Sequence, residues 1–265
     1  MPPVTPAEAA EAVELEEVVV TPRRAFVPLP DLRVIERPGW LQLITPSLKD
    51  GGLNEVAFCA LDEGEADAVI DATIAEYRAL GIKFRWTVGP DSRPFDLAER
   101  LRRRGLNESL TRGMARSTHA PAAAADAPAD ADVSVEEVDA SSLASFTRVM
   151  AEGWDIDPGP LARVNELVFA QPERRHRLYL GRVGGEPAAV ASYVAFPRSA
   201  YLLGGVVLPR FRRRGLYRAL VGARLADARA RGIALATSHA REETSAPLLE
   251  REGFRTVCRF PVFSS

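Results

Sequence analysis

Two spacings of apolar residues alternate along the second half of the chain, and each predicts one kind of element. Apolar positions recur every three to four residues at 140–154, 161–169 and 215–231, as on one face of a helix, and Gly232 stops the last of these helices. A short helix follows at 245–252. Strand-like runs occupy residues 133–138, 177–183, 187–196, 200–208, 233–238 and 254–263. A long helix between two strands, beside a run of hairpin strands, predicts a mixed, mostly antiparallel sheet.

The first half repeats part of this order. Strand, helix, strand and helix are predicted in turn at residues 54–61, 65–80, 83–88 and 97–104. At an offset of 148 residues, from Gly105 to Gly253, the segment 101–106 falls on 249–254. We interpret the chain as an α+β protein built by a diverged tandem duplication, with helices flanking the sheet of each half.

Composition shifts mark the boundaries between the units. Residues 1–30 are rich in Pro, Ala and Glu, which favours a mobile tail. Residues 119–132 have two prolines, many alanines and no large apolar residue, which is typical of a linker. The units are therefore predicted at 31–118 and 133–265.

Charge and cysteine content exclude several classes of protein. The chain is 46% hydrophobic and 26% charged with a net charge of −2, so global disorder is excluded and nothing calls for nucleic acid or an anionic membrane as partner. Cys59 and Cys258 lack the spacing of a metal site, so we expect no metal. Neither a membrane span nor a secretory signal is apparent, and we expect a cytoplasmic protein.

The segment 204–217 carries the clearest chemistry. Two glycines inside a predicted strand indicate a bulge or a close backbone approach. Pro209 then ends the strand, and Gly215 opens a helix whose first amides lack intrahelical partners. Three arginines at 212–214 add positive charge, so the junction is suited to an anion such as a pyrophosphate. A solvated basic loop is the alternative.

This junction resembles the acetyl-CoA motif of the GNAT-type N-acetyltransferase superfamily, Gln/Arg-x-x-Gly-x-Gly/Ala, here Arg212-x-x-Gly215-x-Tyr217. The strand and short helix that follow, ending in Gly253-Phe254, also match the family's pattern. The resemblance covers about residues 133–265 and implies acetyl-CoA as co-substrate, lodged between two parting strands. It implies that the backbone of Val206 and Val207 pairs with the pantetheine. It implies that the pyrophosphate is held by Arg212, Arg213, Arg214, Gly215, Leu216 and Tyr217.

Three features depart from the family's pattern. Tyr217 replaces a small residue, and its hydroxyl either donates to a phosphate or packs on the sheet. Leu249 stands where many relatives have a Tyr that protonates the leaving thiolate. In the first half the corresponding junction, 62–65, is acidic and would repel a pyrophosphate. We interpret that half as a degenerate GNAT-like copy without a CoA site.

An amine acceptor needs a base, and two places offer one. Glu152, Asp155 and Asp157 follow the first helix of the second half, where relatives often bind their acceptor, and His239 ends a strand near the expected thioester. A polar loop and a structural histidine are the alternatives. The sequence thus predicts an N-acetyltransferase that acts on a primary amine of a small molecule or peptide. A non-catalytic acyl-CoA sensor is the second reading, and a nucleic-acid-binding module the third and least favoured.

Overall fold

The computed structural model describes residues 5–50, 52–121 and 130–265. The elements of the first half are α1 (Pro6–Val19), β1 (Arg33–Arg37), β2 (Trp40–Ile44), β3 (Glu55–Cys59), α2 (Glu63–Ala79), β4 (Arg85–Thr87), α3 (Leu97–Arg103) and β5 (Asn107–Ser117). Those of the second half are β6 (Val133–Glu137), α4 (Leu143–Trp154), α5 (Pro158–Phe169), β7 (His176–Val183), β8 (Glu186–Ala195), β9 (Ser199–Val207), α6 (Leu216–Ala230), β10 (Leu235–Arg241), α7 (Ser245–Arg251) and β11 (Arg255–Ser264).

All eleven strands join in one sheet, in the order β1-β2-β3-β4-β11-β5-β10-β9-β8-β7-β6. Only β3 with β4 and β9 with β10 pair in parallel, and the other neighbours are antiparallel. The predicted α+β tandem fold with mostly antiparallel pairing is confirmed. The last strand of each half pairs with a strand of the other half. Strand β11 pairs with β4, and β5 pairs with β10. The two predicted sheets are therefore one.

The two faces of this sheet carry different helices. Tyr193 of β8 donates to Asp227 of α6, and its register partner Leu202 lies on that same face. Tyr201, the next residue along, therefore lies on the opposite face, together with His239, whose ring it contacts. We call this opposite face the α1 face, because His239 also contacts Val18 of α1.

Residues 5–30 do not form the mobile tail that the composition of this segment suggested. Thr5 caps α1 in a capping box with Glu8, and the last turn of α1 packs on the sheet. Val18 is fully buried, and the carboxylate of Glu17 accepts hydrogen bonds from the Ser199 hydroxyl at 2.5 Å and the Arg198 guanidinium at 2.6 Å. Buried residues extend from this turn to Val27 and Leu29, which join the main core cluster, and the composition of the whole segment did not reveal them.

The predicted linker at 119–132 falls mostly on residues 122–129, which lie outside the described residues. The residues that follow it are held by Arg214, whose guanidinium donates hydrogen bonds to the carboxylates of Asp130 at 2.7 Å and Asp132 at 2.9 Å. None of the described helices combines the length and the apolar character needed to cross a membrane.

Candidate functional site

Strands β9 and β10 separate halfway along their length. They pair from Ser199 with Leu235 as far as Leu202 with Ser238, and no further. A register shift against β8 inserts an extra residue in β9 at this point, where Gly204 has a φ of +66°. A Cβ on Gly204 would lie 3.0 Å from the Ser192 hydroxyl. Residues 203–207 therefore expose one backbone edge toward β10, and no described strand pairs with it.

The loop after β9 delivers the chain to the N-terminus of α6. Gly215 caps this helix with a φ of +82° and offers no side-chain hydrogen bond. The first intrahelical bond is donated by the amide of Ala219 to the carbonyl of Gly215, at 2.9 Å. The amides before Ala219 have no intrahelical acceptor and lie at the positive end of the helix, which suits a phosphate.

The arginines around this loop differ in whether a carboxylate pairs with them. Arg210 pairs with Glu152 and Glu186, and Arg214 pairs with Asp130 and Asp132. Arg212 and Arg213 are exposed, and neither forms an ion pair with a carboxylate of the described residues. The positive charge available to a ligand is therefore smaller than the sequence suggests, and it lies at Arg212 and Arg213.

The other residues predicted to contact CoA lie beside the exposed edge of β9 (residues 203–207), and we call the space along this edge the groove. The side chain of Val206 packs under α4, since a Cβ on Gly153 would lie 2.6 Å from it. The Tyr217 ring lies near Gly205, since a Cβ on Gly205 would be 3.7 Å from it. The ring also packs against the core. Leu216 is 1% exposed, so only its amide can reach a ligand. The structure thus brings the predicted backbone groups together along β9 and the start of α6.

His239 stands one residue beyond the last β9–β10 pair. Its Nε2 lies 2.7 Å from the carbonyl oxygen of Val18, so Nε2 carries the proton and Nδ1 keeps a lone pair. The ring contacts Tyr201 at a centroid distance of 5.2 Å and Phe260 at 5.0 Å. Burial lowers the pKa of His239 below its usual range, which favours the neutral, proton-accepting form.

Glu152 lies at the other end of the groove from His239. Its carboxylate is bound by the guanidinium of Arg210, next to the loop that leads into α6. Glu152 and Asp155 line a cavity of about 640 Å³ between α4 and α5. Gly153 and Trp154, between them on α4, face β9 instead. Glu152 and His239 are therefore not brought together, and α4 separates this cavity from the exposed edge of β9.

Leu249, at the position where relatives often have a Tyr, is a core residue with 3% exposure. It packs in the main hydrophobic cluster of the second half and offers no proton to a ligand. Among the described residues no group of three or more His, Cys, Asp or Glu side chains could hold a metal ion.

The equivalent opening in the first half is closed. Strands β3 and β4 pair only at Glu55 with Arg85 and Val56 with Trp86, and then part. Arg93 fills the gap: its amide donates to Cys59 at 2.9 Å, and its carbonyl accepts from Leu61 at 3.2 Å. The backbone edge that is exposed in β9 is thus occupied in β3.

The start of α2 is also unlike the start of α6. Glu63 and Glu65 lie in the first turn of α2, and the α2 cap Asp62 precedes them. Their carboxylates already complement the positive end of the helix and would repel a phosphate there. Both features fit the interpretation of the first half as a degenerate copy.

Sequence reasoning missed a cluster on the α1 face where the two halves meet. Glu55 accepts hydrogen bonds from Arg85 at 2.8 Å and from the Thr87 hydroxyl at 2.7 Å. Arg85 projects from the same face of the sheet as Tyr201 and His239, which are in ring contact with each other. We call Glu55, Arg85, Tyr201 and His239 the seam cluster. The only signals in the sequence were charges within two otherwise apolar strands, Glu55 in the first and Lys83 and Arg85 in the second.

Comparisons with known proteins agree with this geometry. Residues 143–254 match the family model of the acetyltransferase (GNAT) family. A GCN5-related N-acetyltransferase from Kribbella flavida has a similar fold, with a TM-score of 0.62 and 17% identity over 99% of this chain and 95% of that chain. A functionally unknown conserved protein from Staphylococcus epidermidis reaches a TM-score of 0.67, with 12% identity over 94% of this chain and 98% of its own.

A tandem GNAT protein from the clavulanic acid biosynthesis pathway is also similar. Its TM-score is 0.59, with 14% identity over 94% of this chain and 87% of that chain. No curated protein matches the chain. At these identities the solved structures show a shared fold. Residues 143–254 form a GNAT-family acetyltransferase domain, and the chain as a whole has the fold of tandem GNAT proteins.

Proposed function

We propose that the protein is an N-acetyltransferase that moves an acetyl group from acetyl-CoA to a primary amine of a small molecule or peptide. Acetyl-CoA is the donor used by the GNAT family, whose model matches residues 143–254. The observation that carries the proposal is the unpaired backbone edge of residues 203–207, which leads directly to the free amides at Gly215. The pantetheine amides would pair with that edge near Val206 and Val207, and the pyrophosphate would lie at residues 212–217.

The reaction follows from the groups around the point where β9 and β10 part. The amine nitrogen attacks the thioester carbonyl carbon, and the C–S bond then breaks. Nδ1 of His239 accepts the proton that the amine loses, because Nε2 is already committed to the Val18 carbonyl. No acid at Leu249 protonates the sulfur, so CoA leaves as a thiolate, which a thiol pKa of about 8.5 allows. We do not assign the base to Glu152, which the Arg210 guanidinium holds.

A thermal-shift titration followed by an amine screen tests this proposal. A ligand at about 100 times its dissociation constant adds about 2.7 kcal/mol of stability, which corresponds to a shift in melting temperature of about 5 °C. We expect acetyl-CoA and free CoA to give similar shifts, since the pyrophosphate site is common to both. No shift with millimolar acetyl-CoA would overturn the proposal.

A non-catalytic acyl-CoA sensor is the second candidate, and the buried Leu249 is the observation that favours it. The two functions differ in turnover. If acetyl-CoA binds and amine-dependent release of the CoA thiol occurs, and if His239→Gln lowers this rate without weakening acetyl-CoA binding, the enzyme is supported. Binding without any thiol release across a broad amine panel supports the sensor.

A further inference from the structure

The half without a CoA groove places a cation beside the proposed active site. Arg85 belongs to β4 of the first half, and Glu55 on β3 holds its guanidinium at 2.8 Å. The Glu55 side chain is only 19% exposed and also accepts from Thr87, whereas the Arg85 side chain is 53% exposed. Glu55 therefore orients Arg85, and Arg85 is the member of the pair that a ligand can reach.

Register places Arg85 on the same surface as His239. Thr87 lies opposite Val262 of β11, and Phe260, two residues along β11, shares the face of Val262. Phe260 in turn contacts the ring of His239. Because Thr87 and Arg85 are also two residues apart on β4, all these side chains project from the α1 face. The cluster therefore lies on one face of the sheet, which extends from the end of β10 to β4 of the first half.

The other cations that act on this cluster are not available to a ligand. Arg23, whose charge also acts on His239, is paired with Asp91 at 2.6 Å, and its side chain is 10% exposed. The hydroxyl of Tyr201 has no hydrogen-bond partner among the residues that the structure describes. The cluster therefore presents one accessible guanidinium, one free hydroxyl and the proton-accepting histidine. A guanidinium has fork geometry that matches carboxylate and phosphate groups.

We propose that the acceptor amine carries an anionic group, a carboxylate or a phosphate, which Arg85 binds while the amine lies beside Tyr201 and His239. The inference rests on the proposed acetyl transfer and adds the substrate class to it. It also gives the first half a role, since that half then supplies a specificity determinant. The ligand spans the seam between the halves, with its reactive nitrogen at the end of β10 and its anionic end at β4.

Matched amines test this assignment in the intact protein. Release of the CoA thiol is measured with the common L-amino acids against their carboxamides, and with phosphoethanolamine against ethanolamine. Each pair keeps the amine and differs in the anionic group. We expect an anionic member to have a kcat/KM about 10- to 100-fold above its uncharged partner, since a charge-assisted hydrogen bond is lost in the partner. The amino-acid arm and the phosphoethanolamine arm separate carboxylate from phosphate.

Variants at Arg85 then show whether this side chain is responsible. Arg85→Gln should raise KM for the anionic amine about 10- to 100-fold and raise the KM of the uncharged partner much less. Arg85→Lys should recover part of the loss. Arg103→Gln is the control, because Arg103 is an exposed cation on α3, which packs against the other face of the sheet. Acetyl-CoA should stabilise all four proteins equally.

Several outcomes overturn the assignment. These are equal rates for anionic and uncharged amines, an equal effect of Arg85→Gln on both, and no turnover of any anionic amine while acetyl-CoA still binds. The proposed function itself fails by a different readout, which is the absence of a thermal shift with acetyl-CoA in the unaltered protein.

Discussion

The two parallel strand pairs of the sheet, β3 with β4 and β9 with β10, both separate after a few paired residues, but only one of the two gaps is bridged by backbone of the described residues. In each half a strand pairs in parallel for a few residues and then leaves its neighbour. Between β3 and β4 the gap is bridged by the backbone of Arg93, whereas no residue that the structure describes forms such a bridge on the β9 edge toward β10. The two halves thus share their strand arrangement and differ at this gap through one loop and a few acidic residues.

The halves also depend on each other through their last strands. Because β5 lies beside β10 and β11 lies beside β4, neither half completes its sheet alone. The degenerate half therefore supports the groove by completing the sheet next to it. Arg85 extends that support to the substrate.

The largest expected effect comes from adding a charge where α6 begins. Gly215→Glu should weaken acetyl-CoA binding about 100-fold or more, since a carboxylate would occupy the phosphate's place and the backbone there has a φ of +82°. Gly64→Glu is the matched control in the first turn of α2, where a side chain meets nothing within 4 Å. Isothermal titration measures binding, and circular dichroism checks that helix content is retained. Equal affinity of Gly215→Glu and the unaltered protein would show that the phosphate site lies elsewhere.

The next effect concerns stability at equivalent core positions. Leu249 and Leu101 occupy matching places before the exchanged strands, and they are 3% and 0% exposed. Each Leu→Ala variant should lose about 2–5 kcal/mol of unfolding free energy and leave acetyl-CoA affinity nearly unchanged. Since the strands are exchanged, we expect one cooperative transition in both variants, measured by circular dichroism and tryptophan fluorescence in denaturant. Separate transitions for the two halves would contradict the coupling.

The smallest effect is a pH dependence. Burial lowers the pKa of His239 and of His176, so the unfolded chain binds more protons than the folded one below about pH 6.5. Stability is therefore full above that pH and falls as the pH drops below it.

Removing His239 should make the dependence shallower. Denaturant unfolding at pH 7.5 and 5.5 should show a smaller difference for His239→Gln than for the unaltered protein. His119→Gln is the control, because His119 is exposed and should leave the dependence unchanged. An identical pH dependence in His239→Gln would show that the pKa of this ring is the same in the folded and the unfolded protein.

The separation of β9 from β10 and the start of α6 could be predicted from sequence because their signals are local. Gly204, Pro209 and Gly215 follow one another within a dozen residues, and each one constrains the backbone near it. The offset between Gly105 and Gly253 likewise indicated equivalent helices ahead of β5 and β11. Nothing local specifies that these two strands change places, because strand order in a sheet depends on contacts between residues far apart in the chain.

The seam cluster escaped prediction for the same reason. Arg85 and Tyr201 are 116 residues apart in the sequence and belong to different halves. Helix α1 contacts His239 through the carbonyl of Val18, which lies 221 residues earlier in the sequence. Ion pairs such as Arg210 with Glu152 are equally non-local, so the sequence overstated the free positive charge of the loop.

The central claim is that one half binds acetyl-CoA and the other cannot. Isothermal titration of the intact chain with CoA tests it most directly, because the stoichiometry counts the open grooves. The open edge of β9 and the bridge at Arg93 predict one CoA per chain. A stoichiometry of two would show that the first half also binds, and would contradict the account.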